Sequence, residues 1–167
     1  ISTQKFNWNV NSNVSYNHNE IIELYNGIDE YERTGSNTKL VVGHSSSEFY
    51  INRYAGVNPA NGDALWLTKD DELTTEYNEA DKVMIGKSFV APWQGGFGTT
   101  ISWNGLSLSS MFSWVANRWM INNDRFFEES NGLYSVYNQS RRLLYDRWKK
   151  PGDITDIPRY GITPQMD

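Results

Sequence analysis

The 167-residue chain contains no cysteine. That removes disulfide scaffolds, thiolate metal sites and cysteine nucleophiles together. No apolar run approaches the roughly 18 residues that a membrane helix needs. A membrane strand is still open, because its apolar residues occupy alternate positions and escape a hydropathy window. Basic clusters are scarce: the net charge is -5, and the densest basic run, Arg141, Arg142, Arg147, Lys149 and Lys150, is interrupted by Asp146. A nucleic-acid face needs Lys and Arg gathered against phosphates, so no nucleic-acid partner is expected. Catalytic signatures are missing as well. There is no P-loop, dinucleotide fingerprint or nucleophile elbow, and the glycines at 95, 96 and 98 precede no helix. The two histidines, His18 and His44, lack metal-ligand spacing and read as surface or turn residues. The acid pairs Asp70-Asp71 and Glu128-Glu129 lie in polar stretches and read as solvated, with no second carboxylate facing them. No enzymatic activity, metal or cofactor is expected. The chain begins at Ile1 in mid-pattern and stops just after a Pro-rich loop, so it reads as a piece of something longer.

What is present is aromatic: 14% of residues, with seven Trp and ten Tyr. The stretch KFNWNVNSNVSYN, residues 5–17, puts Phe6, Trp8, Val10, Val14 and Tyr16 on one parity and only Lys, Asn and Ser on the other. A strand with one greasy face and one polar face follows. Residues 4–17 form this first strand. Residues 18–94 are long and turn-rich, with short strand candidates at 38–43, 48–56 and 64–68 between Asn26-Gly27, Asn58-Pro59 and Asn61-Gly62. Residues 95–118 alternate again around Asn104-Gly105, a pair suited to a two-residue type I' hairpin. That turn pairs Trp103 with Leu106, Ile101 with Leu108, Thr99 with Ser110 and Phe97 with Phe112, so both strands present bulky residues on one face. Gly98, Thr100, Ser102, Ser107, Ser109, Met111 and Ser113 share the other. Residues 119–167 lose the alternation, and a helix is expected over about 138–148, with Asn138 as N-cap, Leu144 and Trp148 on one face, and Pro151-Gly152 as its stop. Arg147 then serves as a C-terminal cation and Trp148 as a loop anchor.

Ten steps from Phe6 to Tyr16, at about 3.3 Å each and a tilt near 40°, project to about 25 Å, the apolar height of an outer-membrane barrel. Aromatics stand near both ends, as interfacial girdles require: Phe6 and Trp8 against Tyr16, Trp103 against Trp114. The fold class is therefore all-β, an antiparallel transmembrane β-barrel segment of about three membrane strands with two long extracellular loops, 18–94 and 119–167, the second holding a short helix. The tight turn would be periplasmic. Barrels need at least about 8 strands, so these three require company.

At these residues the chain resembles the SusC/RagA family of TonB-dependent outer-membrane transporters. The matching text is NVSYNHNEI, then GHSSSEFYINRYAGVNPANGDALW, then DKVMIGKSFVAPWQGGFGTTISWNGLSLSSMFSW, then RWKKPGDITDIPRY. The resemblance implies a larger barrel of about 22 strands around a plug, driven through TonB, located in the outer membrane of a Gram-negative bacterium and paired with a SusD-like surface lipoprotein. It implies import of an oligosaccharide or peptide substrate. Neither plug nor TonB-contacting segment has a counterpart in these residues.

Phe6, Trp8, Val10, Val14, Tyr16, Phe97, Ile101, Trp103, Leu106, Leu108, Phe112 and Trp114 are the expected lipid-facing set. Tyr50, Tyr54, Trp66, Trp93, Trp119, Tyr134, Tyr137 and Tyr160 are the candidate contacts for ligand or lid, since rigid rings with polar edges give large contact area at low entropy cost. The bland reading is that they pack the loops together. The Asn and Ser face would meet a plug and ordered water. A soluble β-sandwich carbohydrate-binding module is the alternative, and it would bury every greasy face in one dry core. A glycoside hydrolase fragment would need two carboxylates converging in a cleft.

Overall fold

A computed structural model describes Ile1, Thr3, residues 5–134 and residues 136–161. Gln4 and residues 162–167, which close the expected strand and loop boundaries, lie outside the described residues. In chain order the strands are β1 (Phe6–Tyr16), β2 (Glu30–Glu32), β3 (Lys39–Val41), β4 (Glu48–Ile51), β5 (Arg53–Val57), β6 (Ala64–Leu67), β7 (Leu73–Thr74), β8 (Val83–Ser88), β9 (Trp93–Trp103) and β10 (Leu106–Ala116). Two short helices follow, α1 (Asn123–Glu128) and α2 (Arg141–Tyr145). The chain divides into two compact units, Ile1–Phe49 with Gly86–Met120, and Tyr50–Ile85 with Ile121–Asp167. The chain passes between the units three times, within β4, within β8 and after Met120, and β4 pairs with β8.

The first unit is dominated by an antiparallel sheet in the order β1-β9-β10. Its hairpin register is the one the alternation demands: Trp103↔Leu106, Ile101↔Leu108, Thr99↔Ser110 and Phe97↔Phe112. Asn104 and Gly105 both take positive φ, 51° and 88°, as a type I' turn requires. Strand β1 adds Phe6↔Trp103, Trp8↔Ile101 and Tyr16↔Trp93. All the aromatic residues of the three 11-residue strands, with most of the aliphatic ones, therefore share one face, while Met111 and Val115 fall on the other. Tyr16 and Trp93 rings meet at 4.5 Å at one end, and Trp8 donates to Thr99 Oγ1 at 2.9 Å nearer the turn.

Glycine in the central strand lets its neighbours lie across it. The Trp114 indole covers Gly95, where an added Cβ would sit 2.6 Å from the ring. On the opposite face Asn11 covers Gly98, and Asn13 Oδ1 accepts from Gly96 N at 2.6 Å. The polar face is cross-linked by Thr100 with Ser109 and Ser102 with Ser107, at 3.0 and 2.8 Å. Neither β1 nor β10 has a second strand neighbour among the described residues.

This greasy face is bare. Leu108 is 67% exposed and Phe112 58%, and Trp8 and Ile101 are exposed too. A soluble sandwich would have buried them, so that alternative is not favoured. Among the described residues the buried apolar side chains are elsewhere, at Phe49 in the first unit and Ala64, Leu143 and Ile157 in the second.

The second unit carries the sheet β5-β6-β7 and both helices. Here the sequence expectations need correction. The run 48–56 is not one strand, because the chain changes partner at Asn52, β4 going to β8 and β5 to β6 with a bulge between Tyr54 and Gly56. Helix α2 is shorter than expected, since Ser140 rather than Asn138 caps it by accepting from Arg142 N. It ends at Tyr145, where Asp146 N bonds back to Arg142 O. Leu143 is its buried residue, Leu144 is exposed, and Trp148 lies beyond the helix. Helix α1 was not foreseen; Asn122 caps it by accepting from Arg125 N.

Candidate functional site

The second unit contains a cavity of about 360 Å³ walled by β5, β6, α1 and the 156–158 loop. The extended strands fix Tyr54 and Trp66 on it, their rings 5.2 Å apart and edge-on, with Tyr77 against the other side of Trp66 at 5.1 Å. Tyr54 donates to Asp156 O at 3.0 Å. Burial, then the negative charge of Asp156, pushes its phenol up to about 12, so it stays protonated and hydrogen-bonded.

Beside these rings stands an ion network. Arg142 Nη1 donates to both oxygens of Glu129 at 2.9 Å, and Arg142 Nη2 donates to Asp156 Oδ2 at 2.8 Å. Arg125 Nε donates to Glu129 Oε2 at 2.6 Å, the i to i+4 spacing across the end of α1. Glu129 is thus not solvated, contrary to the sequence reading of the Glu128-Glu129 pair: its side chain is 13% exposed and gripped by two guanidinium groups. Burial would raise its pKa, but the hydrogen bonds from Arg125 and Arg142 and their charges outweigh it and hold the carboxyl below its ordinary value. The unfolded chain therefore binds the proton more readily than the folded one. This stabilisation is complete above the ordinary Glu range of about 4.3 and is lost as pH falls through the lower folded value. Thermal unfolding of the wild type from about pH 7 to about pH 3 should show a steeper acid loss than the Glu129→Gln variant. Parallel curves would remove the network from any stabilising role.

Other expected contacts are distributed around the same unit. Tyr134 and Tyr137 join Phe126 and Phe127 in a ring cluster with centroids 5.1 to 6.3 Å apart. Tyr160 lies over Gly132 and under the Arg147 guanidinium at 5.9 Å. Tyr50 is half-buried in β4. Most of these rings contact other rings or backbone.

Two candidates belong to the first unit. Trp93 is no loop residue; it opens β9 on the greasy face against Tyr16. Trp119 lines a separate, more polar cavity of about 560 Å³, with the Lys87 ammonium 4.9 Å above its ring. Both histidines reach this cavity despite their separation in sequence. His44 Nδ1 lies 3.0 Å from Glu48 Oε2, and the buried Glu48 also accepts from Gly86 N at 2.7 Å. Among the described residues no group of three or more His, Asp or Glu is placed to hold a metal.

Sequence reasoning missed Arg125, Asn131 and Asp156, read Glu129 as solvated and saw Arg142 only as part of a basic run. The available signal was local: Asn122 followed by NDRFFEE is an N-cap with an Arg-to-Glu i,i+4 pair.

Known proteins match this arrangement along its whole length. The RagAB peptide transporter superposes with a TM-score of 0.87 at 32% identity, over 99% of this chain and 19% of that one. The stretch is SusC/RagA-like. The RagAB peptide importer in its open-open state gives 0.87 at 34% identity over 99% of this chain and 18% of its own, and the closed-closed state gives 0.87 at 33% over 100% and 19%. By sequence, TonB-dependent receptor P39 of Formosa agariphila is 20% identical over 209 aligned residues, 98% of this chain and 20% of the receptor. No family model matches. The SusC/RagA-like stretch spans about a fifth of the length of the relatives it matches.

Proposed function

We propose that this stretch is part of the barrel wall and external loops of a TonB-dependent transporter that imports nutrients across the outer membrane of a Gram-negative bacterium. The observation that carries the reading is the bare apolar face of the β1-β9-β10 sheet. Its strands are each 11 residues long, enough to cross the hydrocarbon layer at a barrel tilt. Aromatic rings gather at both ends of that face, Trp103 and Phe6 opposite Tyr16, Trp93 and Trp114. A face this apolar is soluble only if something covers it, and lipid covers a barrel wall.

In this reading the Asn, Ser and Thr face meets a plug and ordered water, and the connections 18–94 and 119–167 are extracellular loops beneath a SusD-like lipoprotein lid. TonB supplies energy through a plug. Peptide is favoured over oligosaccharide as substrate because the RagAB proteins, at 32 to 34% identity, carry peptides.

Cysteine labelling tests the wall, helped by the absence of native cysteine from this stretch. In intact outer membranes of cells carrying the full-length protein, a water-soluble maleimide should modify Ser109→Cys far faster than Leu108→Cys. Equal labelling of these adjacent positions would sink the reading.

A further inference from the structure

The basic run at 141–150 is too sparse for nucleic acid, and the fold divides it in two. Arg142 takes the nearby carboxylates: its guanidinium reaches Glu129, Asp156 and Asp146 at 2.9, 2.8 and 4.0 Å. Asp153, the remaining acid between Arg141 and Tyr160, accepts from the backbone N of Lys149 and of Lys150, both at 3.0 Å. Arg141 and Arg147 are left without an ion pair among the described residues. Each lies instead over a tyrosine ring, Arg141 over Tyr145 at 4.8 Å and Arg147, beyond the end of α2, over Tyr160 at 5.9 Å. Stacking covers one face of a guanidinium plane and leaves its N–H edge free to grip a carboxylate.

These two pairs border an open groove of about 590 Å³ in the second unit, and no carboxylate is among its described lining residues. Arg141, Leu144 and Tyr145 fall on one face of α2 by their i, i+3, i+4 spacing. Leu144, Tyr145 and Tyr160 are 60, 57 and 54% exposed, so little among the described residues covers them. Arginine and tyrosine are the residues enriched at protein interfaces and among their hot spots. In a chain of net charge -5, a carboxylate-free groove with two unpaired guanidinium groups selects a partner of opposite sign. Phosphate groups offer nothing apolar to cover Leu144. A protein segment offers both carboxylates and an apolar side chain.

We propose that the groove beside α2 docks an acidic segment of a separate partner protein, its carboxylates taken by the N–H edges of Arg141 and Arg147 and an apolar side chain covering Leu144. This goes beyond the import reading and does not depend on what is imported.

The test is photo-crosslinking in cells carrying the full-length protein, with p-benzoylphenylalanine in place of Leu144 or, as a control outside the groove, in place of Ile154, which is 96% exposed. The probe at position 144 should join one protein, and sequencing of the joined peptide should find an apolar residue flanked by Asp or Glu. Adding Arg141→Glu or Arg147→Glu should cut the yield of that adduct about tenfold or more, because like charges then face one another. Arg141→Gln and Arg147→Gln, which remove charge without adding a carboxylate, should lower it about two- to fivefold. The heat-modifiable folded band should be unaltered in all four variants, since neither arginine is ion-paired within the described fold. The probe at position 154 should give no adduct that these changes alter. No adduct from position 144, an adduct with another part of the same chain, with lipopolysaccharide or with a segment lacking Asp and Glu, or a yield that charge reversal leaves unchanged would each overturn the proposal.

Discussion

Phe112→Arg should stop the protein from accumulating in folded form in the outer membrane, while Met111→Arg, one residue away, should not. Phe112 is on the greasy face of β10, paired with Phe97 across the hairpin at a ring distance of 6.3 Å. It stands one residue from the midpoint of an 11-residue strand, where the proposed hydrocarbon layer is deepest. An arginine at that depth on a lipid-facing barrel surface costs about 2–4 kcal/mol, and the lost ring pair adds about 0.5–1.5 kcal/mol. Met111 points to the opposite face, opposite Gly98, and is 85% exposed. Arginine there meets the polar side of the wall. The heat-modifiable folded band on electrophoresis of outer-membrane fractions reads the difference. Equal assembly of the two variants would mean that the two faces do not see different solvents.

That contrast was legible in the sequence because a strand's period of two writes its faces directly into residue parity. Once Asn104-Gly105 is read as a two-residue turn, the hairpin pairs follow by counting. That the first strand lies beside β9 was not readable from the sequence, but once it does, its greasy parity matches greasy parity across β9. The same rule failed at residues 48–56. Parity there is continuous through FYINRY, but which strand lies alongside is decided by tertiary packing, and the chain changes partner at Asn52. Trp93 was misplaced for a related reason: Gln94 and two glycines carry no parity signal, so the strand was read as starting at residue 95, two residues late.

The site was less legible than the sheet. Tyr54 and Trp66 were singled out as rings in loops, and their meeting across β5 and β6 is a pairing that sequence spacing does not reveal. Glu129 was read as solvated because its neighbours in sequence are polar. Its actual neighbours, Arg142 and the Arg125 it shares a helix end with, come from 13 residues downstream and 4 upstream.

Gly62→Ala should loosen the second unit more than any other single added methyl group considered for it. Two of the segments that carry the family resemblance, GVNPANGD and RWKKPGD, are partners in space. Gly152 N and Trp148 Nε1 both donate to Pro59 O, at 2.8 and 3.1 Å, and Arg159 Nε donates to Asp63 Oδ1 at 2.8 Å. Gly62 sits under the Trp148 ring, where a Cβ would come within 2.4 Å of a ring carbon. The ring cannot swing away freely, because its Nε1 is tied to Pro59 O and the backbone N of Trp148 to Ile157 O. Gly62 also has φ of +78°. The left-handed backbone costs about 1–2 kcal/mol for alanine and the overpacking about 1–3 kcal/mol. Gly152 separates the two contributions: its φ is +93° with nothing within 4 Å of an added Cβ, so Gly152→Ala carries the backbone cost alone. Hydrogen exchange of the Trp148 and Arg159 amides, which bond to Ile157 O and Gly62 O, should accelerate about 30-fold or more in Gly62→Ala and about tenfold in Gly152→Ala. Equal acceleration would mean that Trp148 does not press on Gly62, and the docking of these two segments would then owe nothing to the close approach that glycine permits.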